Sequence, residues 1–328
     1  MENNTNNINM RPYAGEVDLE AIANLINFCD ATYQLDQKTS VSELRDDFNT
    51  PSFDQESDIC LWENIDKKLI GFGSLWITEP SDSIDGYLSI YVHPNLKNSA
   101  LQSEIIRWGE SRMRQVRQER GFEVKLRSRC RDSFSERIVT LKNRDFTIDR
   151  YFLRMERSLS EQIPQPDFPE GFTWRQTNPE QDVIKWMELF NDSFQDHWNH
   201  HDVTLENLQH WLKSENYRSD LDLIAVDSNG KFVACCYGEI FPEDNLHKEY
   251  KEGWISIVAT RREFRRMGIG KAILLSNLHQ LKAAGMDVAK LGVDADNPNG
   301  ALGLYESIGF RKIYTTLCFV KDVSYEDV

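Results

Sequence analysis

The chain reads as an α/β protein made of two copies of one unit, and three observations carry that expectation. Its 328 residues exceed what a single hydrophobic core ordinarily organises. Two strand-like stretches, DGYLSIYVHP (85–94) and EGWISIVATR (252–261), share a glycine–aromatic–aliphatic–Ser–Ile core. The elements around these stretches also match in kind and order, and SLSEQIPQPDFPEG (158–171), with three prolines, separates the two series as a linker would.

Each copy opens with a short strand, a turn and a helix. INMRPYAGEVDLEAIANLINF starts at residue 8 and FTWRQTNPEQDVIKWMELFND at residue 172, both with apolar residues at three- and four-residue spacing. The Gly-aromatic strand of each copy alternates in apolar character. A helical pattern comes after it and ends near Gly121 or Gly285, where glycine can take the left-handed cap. FEVKLRS (122–128) and DVAKLGV (287–293) are the next strands, and LKNRDFTIDRYFLRM (141–155) parallels YESIGFRKIYTTLCF (305–319). The expected division is a disordered lead over 1–9, a degenerate first domain over 10–159, a linker over 160–170 and a second domain over 171–328.

Composition narrows the function. The net charge is −15 and both halves are acidic, which disfavours a general nucleic-acid binder. The longest apolar run, Phe232 to Tyr237, is far shorter than a membrane span, and the polar opening MENNTNNIN does not read as a signal peptide. A soluble cytoplasmic protein is expected, monomeric or homodimeric, without nucleic-acid or membrane partners. Six cysteines (Cys29, Cys60, Cys130, Cys235, Cys236, Cys318) lack CxxC spacing and read as buried reduced thiols. His197, His200 and His201 cluster, yet no Cys pair or HExxH accompanies them, so no metal is expected.

One segment breaks the acidic pattern. TRREFRRMGIGKAIL (260–274) gathers Arg261, Arg262, Arg265, Arg266 and Lys271 around two glycines at the head of an amphipathic helix. Unpaired N–H groups and the helix dipole make such a turn a phosphate site. Gly268 and Gly270 would let backbone and ligand approach without an intervening Cβ. A plain glycine turn with a solvated basic face remains the other reading of the turn alone. GxxxxGK[ST] is absent, and GIGKAI lacks the third glycine of the dinucleotide fingerprint.

The residues C-terminal to the turn decide between these readings. RRMGIG (265–270) and NPNGALGLYESIGF (297–310) occur in order, and together they resemble the GCN5-related N-acetyltransferase (GNAT) superfamily, whose coenzyme-A loop reads [QR]xxGx[GA]. The resemblance covers roughly residues 171–323 and, more faintly, 8–159. It implies two tandem GNAT-like domains, each a mixed, mostly antiparallel sheet flanked by helices, of the type found in mycothiol synthases; SFQDHW (193–198) adds to that likeness.

The resemblance implies acetyl-CoA as acyl donor and the amine of a small molecule or peptide as acceptor. Pantetheine would run along Val258, Ala259 and Thr260. The pyrophosphate would take N–H groups from Arg266, Met267, Gly268, Ile269, Gly270 and Lys271, basic side chains of the loop such as Arg265 would complement its charge, and Asn297 would hold pantetheine amides. Tyr305 would protonate the leaving thiolate. Many relatives carry a glutamate where this chain has Trp254; Glu252, two residues earlier and on the same strand face, is the nearest substitute, and Glu239 the next. The first helix and the loop after it, FNDSFQDHWNHHDVTLENL (190–208), would form the acceptor wall, with Asp196, His197 and Trp198 as substrate contacts, and His200 and Asp202 beside them.

The first copy keeps no glycine between Gly86 and Gly109, retains only Lys97 as a basic residue of the turn, and has Leu141 in the place of Tyr305. It is expected to be structural or to form part of the acceptor pocket. A second function class stays open: a coenzyme-A-binding regulator or scaffold without turnover, favoured by Trp254 and by the degenerate first copy. A nucleotide-binding protein is a third, resting on the glycine turn alone.

Overall fold

The protein is represented by a computed structural model that describes residues 8–34, 38–80, 82–96, 99–198, 200–246 and 248–324. Most of the expected disordered lead and Lys97 lie outside the described residues, but Asn9 already belongs to the first strand. The chain forms two compact units, residues 1–151 with 316–328, and residues 152–315.

In the first unit the elements are β1 (Asn9–Pro12), α1 (Glu16–Tyr33), α2 (Val41–Phe48), β2 (Ile59–Glu63), β3 (Leu69–Ile77), β4 (Ile84–Val92), α3 (Ser99–Arg120), β5 (Val124–Arg131), α4 (Ser135–Lys142) and the start of β6 (Thr147–Ser158). In the second they are the rest of β6, β7 (Phe172–Gln176), α5 (Pro179–Phe194), α6 (Leu205–Trp211), β8 (Asp222–Asp227), β9 (Phe232–Glu239), α7 (Pro242–Asn245), β10 (Glu252–Thr260), α8 (Ile269–Ala283), β11 (Val288–Asp294), α9 (Ala301–Ser307) and the start of β12 (Arg311–Asp322).

Each unit is a mixed sheet with one parallel pair. The first runs β1-β2-β3-β4-β5-β12, antiparallel except for β4–β5. The second runs β7-β8-β9-β10-β11-β6, antiparallel except for β10–β11. The units depart from the expected chain division because their last strands are exchanged. Residues 316–322 of β12 pair with β5, and residues 152–158 of β6 pair with β11.

The repeat has a physical signature beyond strand order. Arg11 donates to both carboxylate oxygens of Asp18 at 2.8 and 2.7 Å, and Arg175 does the same to Asp182 at 2.6 and 2.9 Å, each Asp lying near the head of a unit's first helix. Gly86 and Gly253 are matched for packing: an added Cβ would stand 2.4 Å from Met113 Sδ in one unit and 2.6 Å from Leu281 Cδ2 in the other. The helix after the Gly-aromatic strand of each unit, α3 or α8, lies directly on that glycine.

Apolar cores fill both faces of each sheet. In the second unit α8 and α9 bury Ile273, Leu278, Leu281 and Ile308 on one face, while α5 and α6 bury Trp186, Leu189 and Leu208 on the other. Cys236 belongs to the first of these cores and Cys235 to the second, as strand alternation requires. All six cysteines are buried free thiols. Among the described residues no helix is long and apolar enough to cross a membrane.

Candidate active site

The site begins where two strands part. β10 and β11 are paired only from Glu252–Val288 to Ile255–Leu291. A bulge in the β9–β10 register between Ile255 and Ile257 then shifts the alternation, so that Ile257 and Ala259 pack toward α5 and α6 while Val258 packs toward α8. The opening leads into a cavity of about 560 Å³. Val258, Ala259 and Thr260 form one wall, Phe264, Arg265, Arg266, Gly268, Gly270 and Lys271 a second, and Asn297–Ala301 with Gly303–Tyr305 a third. Ser193, Phe194 and His197, at the end of α5 and just beyond it, complete the lining.

The two glycines of the turn have different roles. Gly268 caps α8 at φ +89°, a left-handed conformation, with open space around a would-be Cβ. Gly270 permits close approach: a Cβ there would stand 2.9 Å from Thr260 Oγ1. The first N–H groups of α8, at Ile269, Gly270 and Lys271, have no intrahelical partner and sit at the positive end of the helix dipole.

The basic cluster divides. Arg262 donates to Asp196 at 2.8 and 2.6 Å. Arg265 donates to Asp196 at 2.9 Å, to Asn299 at 2.8 Å, to the Ser193 carbonyl at 2.8 Å and to the Thr260 carbonyl at 3.1 Å. Arg261 donates to the Phe232 carbonyl at 2.8 Å. Among the described residues Arg266 and Lys271 have no ion-pair partner, and both are exposed beside the helix start. The charge available to an incoming phosphate is therefore Arg266, Lys271 and the helix N-terminus. Asp196, expected as an acceptor contact, instead fastens the segment after α5 to this loop, and the two guanidinium groups hold its carboxyl below the usual range.

Tyr305 is buried on α9, edge-on to Phe310 with ring centroids 6.0 Å apart, and lines the cavity. Burial pushes its phenol pKa well above the ordinary value, with the buried Cys236 adding to the rise. Asn297 lines the cavity too; its side-chain oxygen accepts the Asn299 N–H at 2.9 Å, leaving the amide NH₂ as the donor it can offer.

Several expected residues are not brought together with these. Met267 is exposed and Ile269 is in the core, so only their backbone belongs to the turn. Glu252 does not line the cavity: it is buried between Lys248 and Lys290, the latter 2.6 Å away, at the start of β10. Glu239 accepts from Ser256, also outside the lining. Trp254 lies under the Arg154 guanidinium at 4.3 Å. No carboxylate lines the cavity among the described residues. Phe194, inside SFQDHW but given no role there, is also a lining residue; the four-residue spacing Trp186–Phe190–Phe194 gives it away, with Trp186 stacked on Phe190 and Phe190 tilted against Phe194 along α5.

The first unit has the same strand separation, and its own side chains close it. β4 and β5 pair only from Ile84–Val124 to Tyr87–Arg127. Beyond that point the Leu88 carbonyl accepts from Ser128 Oγ at 3.0 Å, the Ile90 carbonyl from Arg137 Nη2 at 2.9 Å and the Val92 carbonyl from Cys29 Sγ at 3.4 Å. The Arg137 guanidinium is braced by Gln102 at 2.9 Å and covered by Phe134. About 20 Å³ of space remains, against about 560 Å³ in the second unit. Leu141 is buried in α4.

Comparison with known proteins agrees with this geometry. Residues 183–310 match the acetyltransferase (GNAT) family. The mycothiol acetyltransferase of Pseudarthrobacter chlorophenolicus is 25% identical over 74% of this chain and 72% of its own, and that of Thermobispora bispora is 29% identical over 50% of this chain and 54% of its own. A GCN5-related N-acetyltransferase from Sphaerobacter thermophilus superposes with a TM-score of 0.75 at 24% identity over 96% of both chains. A tandem GNAT protein from the clavulanic acid biosynthesis pathway superposes with a TM-score of 0.72 at 11% identity, covering 98% of this chain and 100% of its own. Residues 183–310 thus match the acetyltransferase (GNAT) family, the fold is that of tandem GNAT proteins, and the sequence is similar to mycothiol acetyltransferases.

Proposed function

We propose that the protein is an acetyl-CoA-dependent N-acetyltransferase acting on the amine of a small molecule or peptide, with its chemistry in the second unit. One observation carries this reading: strand separation, an unpaired helix start with two free cations, and a buried tyrosine line one cavity. The pyrophosphate takes the N–H groups at the head of α8, with Arg266 and Lys271 supplying charge. Pantetheine continues the sheet along the free edge of Val258 and Thr260, and Asn297 donates to one of its amides.

The amine nitrogen attacks the thioester carbonyl, whose oxygen gains charge as the C–N bond forms. As the C–S bond breaks, the Tyr305 hydroxyl gives its proton to the sulfur. The raised phenol pKa suits that role, because the group keeps its proton throughout the neutral range. Free-thiol release from acetyl-CoA against an amine library tests the reading. Amine-dependent release supports it, and tight acetyl-CoA binding without release by any amine refutes turnover. That second outcome would favour the other reading, a coenzyme-A-binding regulator, which the absence of a cavity carboxylate among the described residues supports.

A further inference from the structure

A primary amine must lose a proton as it attacks, and the carboxylates expected to take it are engaged elsewhere. Glu252 is held between two lysines, and Glu239 is bonded to Ser256 outside the cavity. His197 does line the cavity, and it is half-buried there. Its Nδ1 lies 3.0 Å from the Trp198 carbonyl oxygen. A carbonyl can only accept, so Nδ1 carries the hydrogen and, in the neutral ring, Nε2 carries the lone pair. Nε2 has no protein partner among the described residues.

The position of His197 is fixed from both sides. Asp196, its neighbour, is clamped by Arg262 and Arg265, and Trp198 packs on Phe152 with centroids 5.7 Å apart. Phe152 pairs with Asp294, three residues beyond Leu291, where β10 and β11 part. The segment therefore crosses the strand opening on the face toward α5. The ring itself meets Phe194 edge-on at 5.5 Å. The titratable groups that share the cavity lining with it are Arg265, Arg266 and Lys271 from the turn and Tyr305 from α9, with Asp196 adjacent in its own segment.

Resting on the acetyltransferase reading above, we propose that His197 is the catalytic base of the second unit. Its Nε2 takes the proton from the amine nitrogen as the C–N bond forms, while Tyr305 protonates the departing thiolate. Solvent then returns a proton to Tyr305 and removes one from His197, so the balance closes without another reactant.

The test uses the full chain, acetyl-CoA and hydroxylamine as the probe amine, with the protein-free release of thiol subtracted at each pH. Thiol release is followed across pH in wild type and His197→Gln, with acetyl-CoA affinity measured by calorimetry. The proposal expects His197→Gln to lose about 10²–10⁴-fold in kcat/KM for the amine, the usual scale for such a group. Affinity for acetyl-CoA should stay within about twofold, and added imidazole should restore part of the rate. A variant with wild-type rate and profile overturns the role of His197 alone. So does one whose acetyl-CoA affinity falls in step with its rate, since that is what a structural role would give. Wild-type protein that binds acetyl-CoA and releases no thiol to the probe or to any amine of the library overturns the base and the acetyltransferase reading together.

Discussion

Replacing Tyr305 by Phe separates packing from proton transfer. The ring makes its contacts through carbon, edge-on to Phe310 and within the α8–α9 core, and among the described residues its hydroxyl has no hydrogen-bond partner. Phe preserves all of those contacts, so stability should change by no more than about 0.5 kcal/mol. If the hydroxyl protonates the leaving thiolate, kcat should fall by about 10²–10⁴-fold, or about 3–5 kcal/mol of barrier. The assay is thiol release at saturating acetyl-CoA, with urea denaturation of the same preparation. Burial raises the phenol pKa, so the group is protonated below that pKa and its acidity is lost only as pH rises through it, beyond the neutral range. The wild-type rate should therefore show no high-pH fall from Tyr305 near neutrality. Wild-type kcat in a stable Tyr305→Phe variant would return the residue to the core and rule out its role as the acid.

Gly268→Val forces a β-branched residue to φ +89°, costing upward of about 1–2 kcal/mol, and Gly270→Val drives a side chain against Thr260; both should abolish acetyl-CoA binding in calorimetry while circular dichroism stays native. Unchanged affinity in either folded variant would remove the turn from the coenzyme site. Asp196→Asn deletes a negative charge beside the turn and frees Arg262 and Arg265, so acetyl-CoA should bind about twofold tighter or better at low salt, an advantage that salt erases; weaker binding would contradict the charge division. Asp222, buried and hydrogen-bonded by Tyr217 and Trp186, has its pKa pushed up to about 6, chiefly by burial. The native state then holds a proton that the unfolded chain has already lost, so this group's contribution falls as pH rises from about 4 through about 6, by roughly 3 kcal/mol. Asp222→Asn should flatten that part of the pH–stability curve from urea melts and be at least as stable as wild type at pH 8; an unchanged slope would refute it.

Much of the second unit is legible in the sequence because its signals are local. Strand alternation, the Gly285 cap and the Gly268-x-Gly270 turn each depend on a few neighbouring residues, and the structure has β10, α8 and β11 where those signals put them. Long-range relations are not legible. Nothing near residue 316 announces that β12 pairs with β5, because any alternating strand can join any compatible edge. The same limit applies to charge: five basic residues in one stretch look equivalent until Asp196, distant in sequence, pairs with two of them. Glu252 is a further case, since a carboxylate on the right strand face is no base once Lys248 and Lys290 enclose it. His197 reads in sequence as an acceptor contact or one of a histidine cluster, because its ring-nitrogen partner, a backbone carbonyl, leaves no trace in composition.

One open cleft and one sealed cleft distinguish the two units, and acetyl-CoA stoichiometry on the intact chain is the sharpest test of that contrast. The intact chain is required because cutting at the linker would strip residues 316–322 from one sheet and 152–158 from the other. Calorimetry should give one equivalent of acetyl-CoA per chain, with hydrogen-exchange protection confined to residues 258–271 and 297–305. Two equivalents, or protection appearing along residues 88–102, would contradict it.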